Sequence, residues 1–311
     1  MNSIEVKNLT KKFGKFTSVD SISFEVKEGE VFGFLGANGA GKSTTIKMLC
    51  GILEPTSGDA SVGGFSIQTE SDMVKQNIGY MSQKFSLYGD LSVEENINFF
   101  ASIYGLKGEK LDNRKHWVLN TAGLDDRKES LTGTLSTGLK QRLALACAVM
   151  HEPKIVFLDE PTGGVDPISR KNFWDLINEL SRQGITVFVT THYLDEAEFC
   201  NRIMMIDAGK IIAGGSPDEL KKKFLTNYII EAEVSSPDFA MEIFDKIDFV
   251  NHTAYFGEYI HITLKDADEV LLPGRFELFR SQLSEKNIII KRIEKILPSL
   301  EDVFVNLLEK N

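Results

Sequence analysis

Residues 36–43 read Gly-Ala-Asn-Gly-Ala-Gly-Lys-Ser, a G-x-x-x-x-G-K-[ST] pattern between an apolar run and a helix-forming one. A dense anion needs consecutive backbone N–H groups turned inward around it. Glycines permit those dihedrals and leave no Cβ in the way. The helix that follows points its positive end at the anion. The segment predicts a strand at 31–35, a phosphate-holding loop, and a helix at 42–50 stopped at Gly51. The loop comprises Gly36, Ala37, Asn38, Gly39, Ala40, Gly41, Lys42, Ser43 and Thr44. Lys42 would reach the β/γ oxygens of a nucleoside triphosphate, Ser43 would ligate Mg²⁺, and Thr44 could reach the α-phosphate. A dinucleotide-binding reading fails, because Gly39-Ala40-Gly41 would then need glycine where Thr44 stands.

Up to about residue 220, short apolar strands alternate with helices, as in a mainly parallel α/β sheet. Residues 155–158 are apolar at every position, as in a strand covered on both faces. Asp166 then caps a helix with Pro167 at its first position and an apolar stripe of Phe173, Leu176, Ile177 and Leu180. A further buried strand follows at 185–190. Residues 3–9 and 21–26 alternate in period two, which predicts a half-exposed antiparallel layer. The stretch of about 86–150 is helical in pattern, with Ser92 and Glu95 as a capping box. Beyond about residue 220 the order βαββαβ suits a small α+β ferredoxin-like sandwich. The predicted domains are residues 1–224, with the helical subdomain at about 86–150, and an accessory α+β domain at 225–311.

The chain has 311 residues, a formal net charge of −10 and a pI near 5.2. A nucleic-acid partner would need a strong basic field against that balance, and the one dense basic run is Lys221–Lys223. Three lysines on a helix usually form a solvated face, so no nucleic-acid partner is expected. Cys50, Cys147 and Cys200 are odd in number and lack CxxC spacing, as expected of reduced, buried thiols. Residues 1–12 are polar and mixed in charge, so no signal peptide is expected. No apolar run approaches the ~20 residues that span a bilayer, so a membrane role is expected only through a partner. His252 and His261 have no partner ligands at metal spacing.

Residues 154–160, Lys-Ile-Val-Phe-Leu-Asp-Glu, form an apolar strand that ends in two acids. Adjacent carboxylates at the end of a buried strand suit a cation. Asp159 is placed for Mg²⁺ and Glu160 to polarise an attacking water. With these two motifs, Leu135-Ser136-Thr137-Gly138-Leu139-Lys140-Gln141-Arg142 resembles the signature helix of ABC-type ATPases. Ser136 lies 23 residues before Asp159, as in that family. Residues 159–166 are similar to the family's strand end and D-loop, with Asp166 as its aspartate. His192 matches the switch histidine. Gln83 matches the glutamine that joins the core to the helical subdomain, and is counted as a metal ligand with Ser43 and Asp159. Phe13 matches the aromatic that stacks on adenine, with Phe16 nearby as a competitor. The resemblance covers about residues 3–220.

The resemblance implies a P-loop ABC ATPase fold with ATP and Mg²⁺ as cofactors. It makes Glu160, His192 and Lys42 catalytic. It also implies a homodimer or heterodimer in which Ser136 and Gly138 meet the γ-phosphate of ATP held by the other subunit. Thr137 and Leu139 depart from the family's LSGGQ pattern, which bears on the closed state. Separate transmembrane permease subunits are implied, docked near residues 85–91, where Phe85 and Tyr88 offer apolar contact. The expected place is cytoplasmic, peripheral on the inner face of the cell membrane. The D-loop and the terminal Ser299-Leu-Glu-Asp-Val-Phe304 segment resemble ATPase subunits of bacterial ABC-2-type exporters, with multidrug efflux as the specific expectation. An ATP-dependent regulatory switch with negligible turnover, or a soluble non-transport ABC ATPase, are the alternatives. The second wants a coiled coil or fused units, and the sequence has neither.

Overall fold

The computed structural model describes residues 1–83, 87–224 and 228–309. Contacts divide the chain into Met1–Ser216 and Pro217–Asn311, each with its own core. The division lies ahead of the helix Pro217–Phe224, so Lys221–Lys223 fall with the second unit.

In the first unit a six-stranded sheet runs in the order Lys210–Gly215, Arg202–Asp207, Val31–Leu35, Thr186–Thr191, Ile155–Asp159, Ile78–Met81. Neighbours are parallel except at the Lys210–Gly215 edge. The strands Val31–Leu35, Thr186–Thr191 and Ile155–Asp159 are buried at every position, as strands covered on both faces must be. Their rings interlock. Phe188 lies 5.4 Å from Phe32, 5.6 Å from Phe34 and 5.5 Å from Phe157 between ring centroids. Each such pair stabilises by about 0.5–1.5 kcal/mol beyond burial. Together they fix the register that pairs Leu35 with Thr191 and Asp159 with Thr190, the strand ends that carry the chemistry.

The period-two segments form the expected antiparallel layer, ordered Phe16–Lys27, Asn2–Phe13, Ser57–Val62, Phe65–Ser66. Ile4, Val6, Leu9, Ile22, Phe24 and Val26 turn inward from it. At its hairpin tip Phe13 and Phe16 stand in register. The helical region comprises Val93–Ile103, Gly108–Ala122 and Thr137–Val149, packed around Ile97, Val118, Leu143 and Cys147. The capping box is present: the Glu95 N–H donates to Ser92 Oγ at 3.1 Å and the Ser92 N–H to Glu95 Oε2 at 2.7 Å. The helix Pro167–Arg182 begins at the Asp166 cap. Its buried face is Phe173, Trp174, Ile177 and Leu180, with Leu176 only half-buried. Trp174 is fully buried, and its ring stacks on Phe199 at 5.4 Å. All three cysteines are free and buried, and burial pushes their thiols up.

The second unit has a four-stranded antiparallel sheet ordered Val250–Phe256, Tyr259–Leu264, Ile229–Val234, Ile290–Ile296. Helices Pro237–Phe244 and Leu272–Ser284 add Phe244, Phe279 and Leu283 to its core. That strand order and the βαββαβ sequence are those of a ferredoxin-like sandwich. The last strand starts at Ile290, two residues later than the apolar run, because Ile288 packs into the core instead. The final helix Leu300–Glu309 follows Ser299, whose N–H and Oγ donate to Asp302 Oδ2 at 2.8 and 2.7 Å. His261 is buried, with Nδ1 2.7 Å from Asp302 Oδ1 and Nε2 3.4 Å from Glu231 Oε2. It ties that helix to the sheet. Among the described residues no group of three or more His, Cys, Asp or Glu could hold a metal ion. Among them, too, no helix is long and apolar enough to cross a membrane.

Candidate nucleotide site

The strand Val31–Leu35 delivers the chain into a loop that closes on the helix Lys42–Leu49. Gly41 caps that helix with φ at 109°, a left-handed value that glycine adopts without strain. A Cβ there would lie 2.5 Å from the Ser18 carbonyl oxygen, and one on Gly36 would lie 2.2 Å from that of Ile206. The loop backbone is thus packed from behind. Ala40 is buried and its N–H donates to the Ala37 carbonyl at 3.1 Å. Asn38, Gly39, Gly41, Lys42, Ser43 and Thr44 line a cavity of about 460 Å³.

Lys42 is 4% exposed, and its Nζ donates to the carbonyls of Gly36 at 2.9 Å and Ala37 at 3.1 Å. The same Nζ pairs with Glu160 Oε1 at 3.1 Å. Ser43 Oγ donates to Asp159 Oδ1 at 3.0 Å, and Thr190 Oγ1 donates to that oxygen at 2.7 Å. Thr44 Oγ1 accepts from Ser18 Oγ at 3.0 Å.

Glu160 is the hub. Its backbone is left-handed, φ 47°, which costs a non-glycine residue about 1–3 kcal/mol. Two bonds hold it there: its N–H donates to the Thr190 carbonyl at 3.1 Å and to Thr190 Oγ1 at 3.0 Å. The side chain thereby leaves the sheet and meets three groups at once. Beside Lys42 on Oε1, Oε2 accepts from Gln83 Nε2 at 2.9 Å and lies 3.3 Å from His192 Nδ1. Six sequence-predicted residues therefore fall into two bonded groups: Ser43 with Asp159, and Lys42, Gln83 and His192 around Glu160. Thr190, noted in the sequence only as a strand end, positions both acids.

Phe13 and Phe16 both line the cavity and are 50% and 61% exposed. The site thus offers two aromatic faces for a base. The donors near the loop are hard oxygens from a hydroxyl and a carboxylate, which suits Mg²⁺. Ser43 Oγ and Asp159 Oδ1 stand 3.0 Å apart, so the two oxygens are near enough to serve one small cation.

Ser136 caps the helix Thr137–Val149, its Oγ accepting from the Leu139 N–H at 3.4 Å. Thr137 and Leu139 sit within that helix without breaking it. Gly138 is required by close approach, because a Cβ would fall 2.6 Å from Ser169 Cβ. Asp166 Oδ1 accepts from the Ser169 N–H at 2.9 Å, and that backbone bond holds its carboxyl below the usual range. Among the described residues, Ser136, Gly138 and Asp166 do not line the cavity. Tyr88 is 46% exposed and meets Phe99 edge-to-face at 4.8 Å. Phe85 lies outside the described residues.

The pattern of the ABC transporter family matches residues 19–163. The chain is 52% identical over 239 residues to the probable multidrug ABC transporter ATP-binding protein YbhF of Escherichia coli (strain K12), covering 77% of this chain and 40% of that one. It therefore spans less than half the length of that relative. It is 35% identical over 310 residues to the linearmycin resistance ATP-binding protein LnrL of Bacillus subtilis (strain 168), covering 98% and 97%. Among solved structures it resembles the dimeric, post-hydrolysis ATP-binding cassette MJ0796 bound to ADP and Pi. There the TM-score is 0.62 at 27% identity, over 68% of this chain and 98% of that one.

Proposed function

The chain belongs to the ABC transporter family, and from that premise we propose that it binds and hydrolyses ATP to power export through separate membrane subunits. The observation that carries this reading is the convergence of Lys42, Gln83 and His192 on Glu160 at the mouth of the loop. A loop that only stored nucleotide would not need a carboxylate held in left-handed backbone beside it.

The mechanism follows from the partners. The γ-phosphate competes with Glu160 for Lys42. When Lys42 Nζ transfers to phosphate oxygens, Glu160 Oε1 becomes free to take a proton from the attacking water. Gln83 and His192 hold the other carboxylate oxygen and orient that water against the γ-phosphate. Ser43 and Asp159 would hold Mg²⁺, which supplies charge neutralisation at the β- and γ-phosphates. The loop N–H groups and the helix end stabilise charge without covalent chemistry.

Ser136 and Gly138 complete the site of a second subunit in a head-to-tail dimer, and Asp166 stands at the same interface. The dimeric structure of MJ0796 supports a two-subunit arrangement. The exposed Tyr88, with the half-buried Phe99 beside it, is the proposed contact with the membrane subunit, and the proposed location is the cytoplasmic face of the membrane. The second unit is proposed as accessory. YbhF, a probable multidrug transporter protein, and LnrL, a linearmycin resistance protein, support a drug or antibiotic as cargo.

Phosphate release from MgATP by the purified protein, alone and with its membrane partner, is the test. Turnover that rises with the partner supports the reading. ATP binding with no release above background in either state would leave a nucleotide-operated switch instead.

A further inference from the structure

Behind the Glu160 hub lies a second acid. Glu196 is completely buried in the short helix Leu194–Ala197. Its Oε1 accepts from Thr162 Oγ1 at 2.5 Å and its Oε2 from Thr191 Oγ1 at 2.8 Å. Arg170 Nε forms an ion pair with Oε1 at 3.4 Å but makes no hydrogen bond, being buried without one. A carboxylate removed from water is retained only where donors and a cation meet it, and here each comes from a different element.

Those elements are the ones that move the chemistry. Thr191 precedes His192, and its hydroxyl also accepts from the Tyr193 N–H at 2.9 Å. Tyr193 packs on His192 at 4.1 Å between rings and lies under the Arg170 guanidinium at 4.4 Å. Thr162 stands two residues past Glu160, in the turn toward Asp166. Arg170 sits on the helix that Asp166 caps, one residue after the Ser169 against which Gly138 packs.

We infer that Glu196 is a positioning residue: through Thr191, Thr162 and Arg170 it fixes the angle of His192 to Glu160 and ties it to the Asp166 and Gly138 face of the same chain. The inference rests on the proposed roles of His192 and ATP hydrolysis. A shift at Gly138 or Asp166 on meeting a partner's nucleotide is carried to His192 by the Arg170–Glu196 pair. One subunit's own site is thereby informed of what its signature face holds.

Glu196→Gln keeps the volume and can still bond both threonines, since an amide accepts at one end and donates at the other. It turns one of those bonds round and removes the buried charge that faces Arg170 Nε, leaving the Arg170 contact with the exposed Asp195 at 3.5 Å in place. The expected result is a fall of about tenfold in kcat, with KM for ATP within about threefold and an unchanged melting temperature. The deciding measurement is the double variant. If Glu196 acts through His192, then Glu196→Gln in a His192→Ala background lowers kcat by less than about twofold further. A full additional tenfold loss, or a fall in melting temperature that tracks the activity loss, overturns the inference. If His192→Ala alone turns over like the unmodified protein, the role given to His192 fails first, and the two failures are distinguished.

Discussion

Replacing Glu160 with glutamine should separate binding from turnover in opposite directions. Lys42 Nζ sits 3.1 Å from Glu160 Oε1, with the two side chains 4% and 10% exposed. A pair so shielded is not screened as a surface pair is. A hydrogen bond to a charged group contributes about 1.5–3 kcal/mol, and triphosphate must break this one before it gains Lys42. Glutamine is the same size and carries no charge. Glu160→Gln therefore lowers the stability of the empty protein and tightens MgATP by the same interaction, about 10- to 100-fold in Kd. Turnover moves the other way. Loss of a positioned base costs about 10²- to 10⁴-fold in kcat. Calorimetric titration of MgATP reads the first effect, single-turnover phosphate release the second, and gel filtration the accumulation of a closed dimer. Turnover within tenfold of the unmodified protein would refute Glu160 as base. ATP binding that is weaker would refute the competition for Lys42.

Three further outcomes follow from contacts elsewhere. Gly138→Ala drives a methyl into Ser169 and should cost about 1–3 kcal/mol in thermal unfolding; combined with Ser169→Gly it should cost clearly less than the two single losses added, and strict additivity would refute the clash. Burial pushes the His151 imidazole down to about 4, while its Nε2 bonds the Ile78 carbonyl and its ring stacks on Tyr104. The unfolded chain then binds the extra proton between about pH 6.5 and 4, so stability falls as pH drops through that window by up to about 1.4 kcal/mol per pH unit. His151→Gln should flatten the fall in denaturant midpoint between pH 7 and 5, and an unaltered slope would count against it. Two bonds of 2.8 Å from Arg275 hold the Asp266 carboxyl at about 2, so its stabilisation is complete above about pH 4 and fades as pH falls through 2. Arg275→Gln should return that carboxyl toward about 3.9 in an NMR titration.

The chain announced its first unit through local rules. The phosphate loop, the Ser92–Glu95 box and the Asp166-Pro167 helix start each depend on residues within a few positions, and each stands where the pattern put it. Period two over residues 3–9 and 21–26 gave the antiparallel layer because one face is buried and one is not. Trp174 in place of Leu176 shows where periodicity stops: a large ring can reach the core from a position the 3.6-residue stripe assigns to the flank when a partner such as Phe199 waits for it. The helix Pro217–Phe224 lies between the change of pattern near residue 220 and the contact division ahead of Pro217, and a polar helix does not show in sequence which core claims its few apolar residues.

What no local rule reaches is the tie between sites. Glu160, Lys42, Gln83 and His192 were each legible as motif residues, but their convergence depends on the left-handed turn at Glu160, which Thr190 enforces from the neighbouring strand. Glu196 was less visible still. In sequence it is one acid in the polar run Asp195-Glu196-Ala197-Glu198, where a solvated helix face is the ordinary reading. Its burial comes from three partners 5, 26 and 34 residues away in the chain. Such a residue is chosen by geometry that only parallel strand pairing creates, because Asp159 and Thr190 must first pair side by side before Thr191 can reach it. The parts that hold nucleotide are therefore written in short motifs, whereas the parts that would let one half-site sense the other are written in contacts across the sheet. Substitutions such as Thr137 and Leu139 in the signature helix can then alter ligand contact without touching the linkage, since Gly138, Ser169 and Arg170 remain in place behind them.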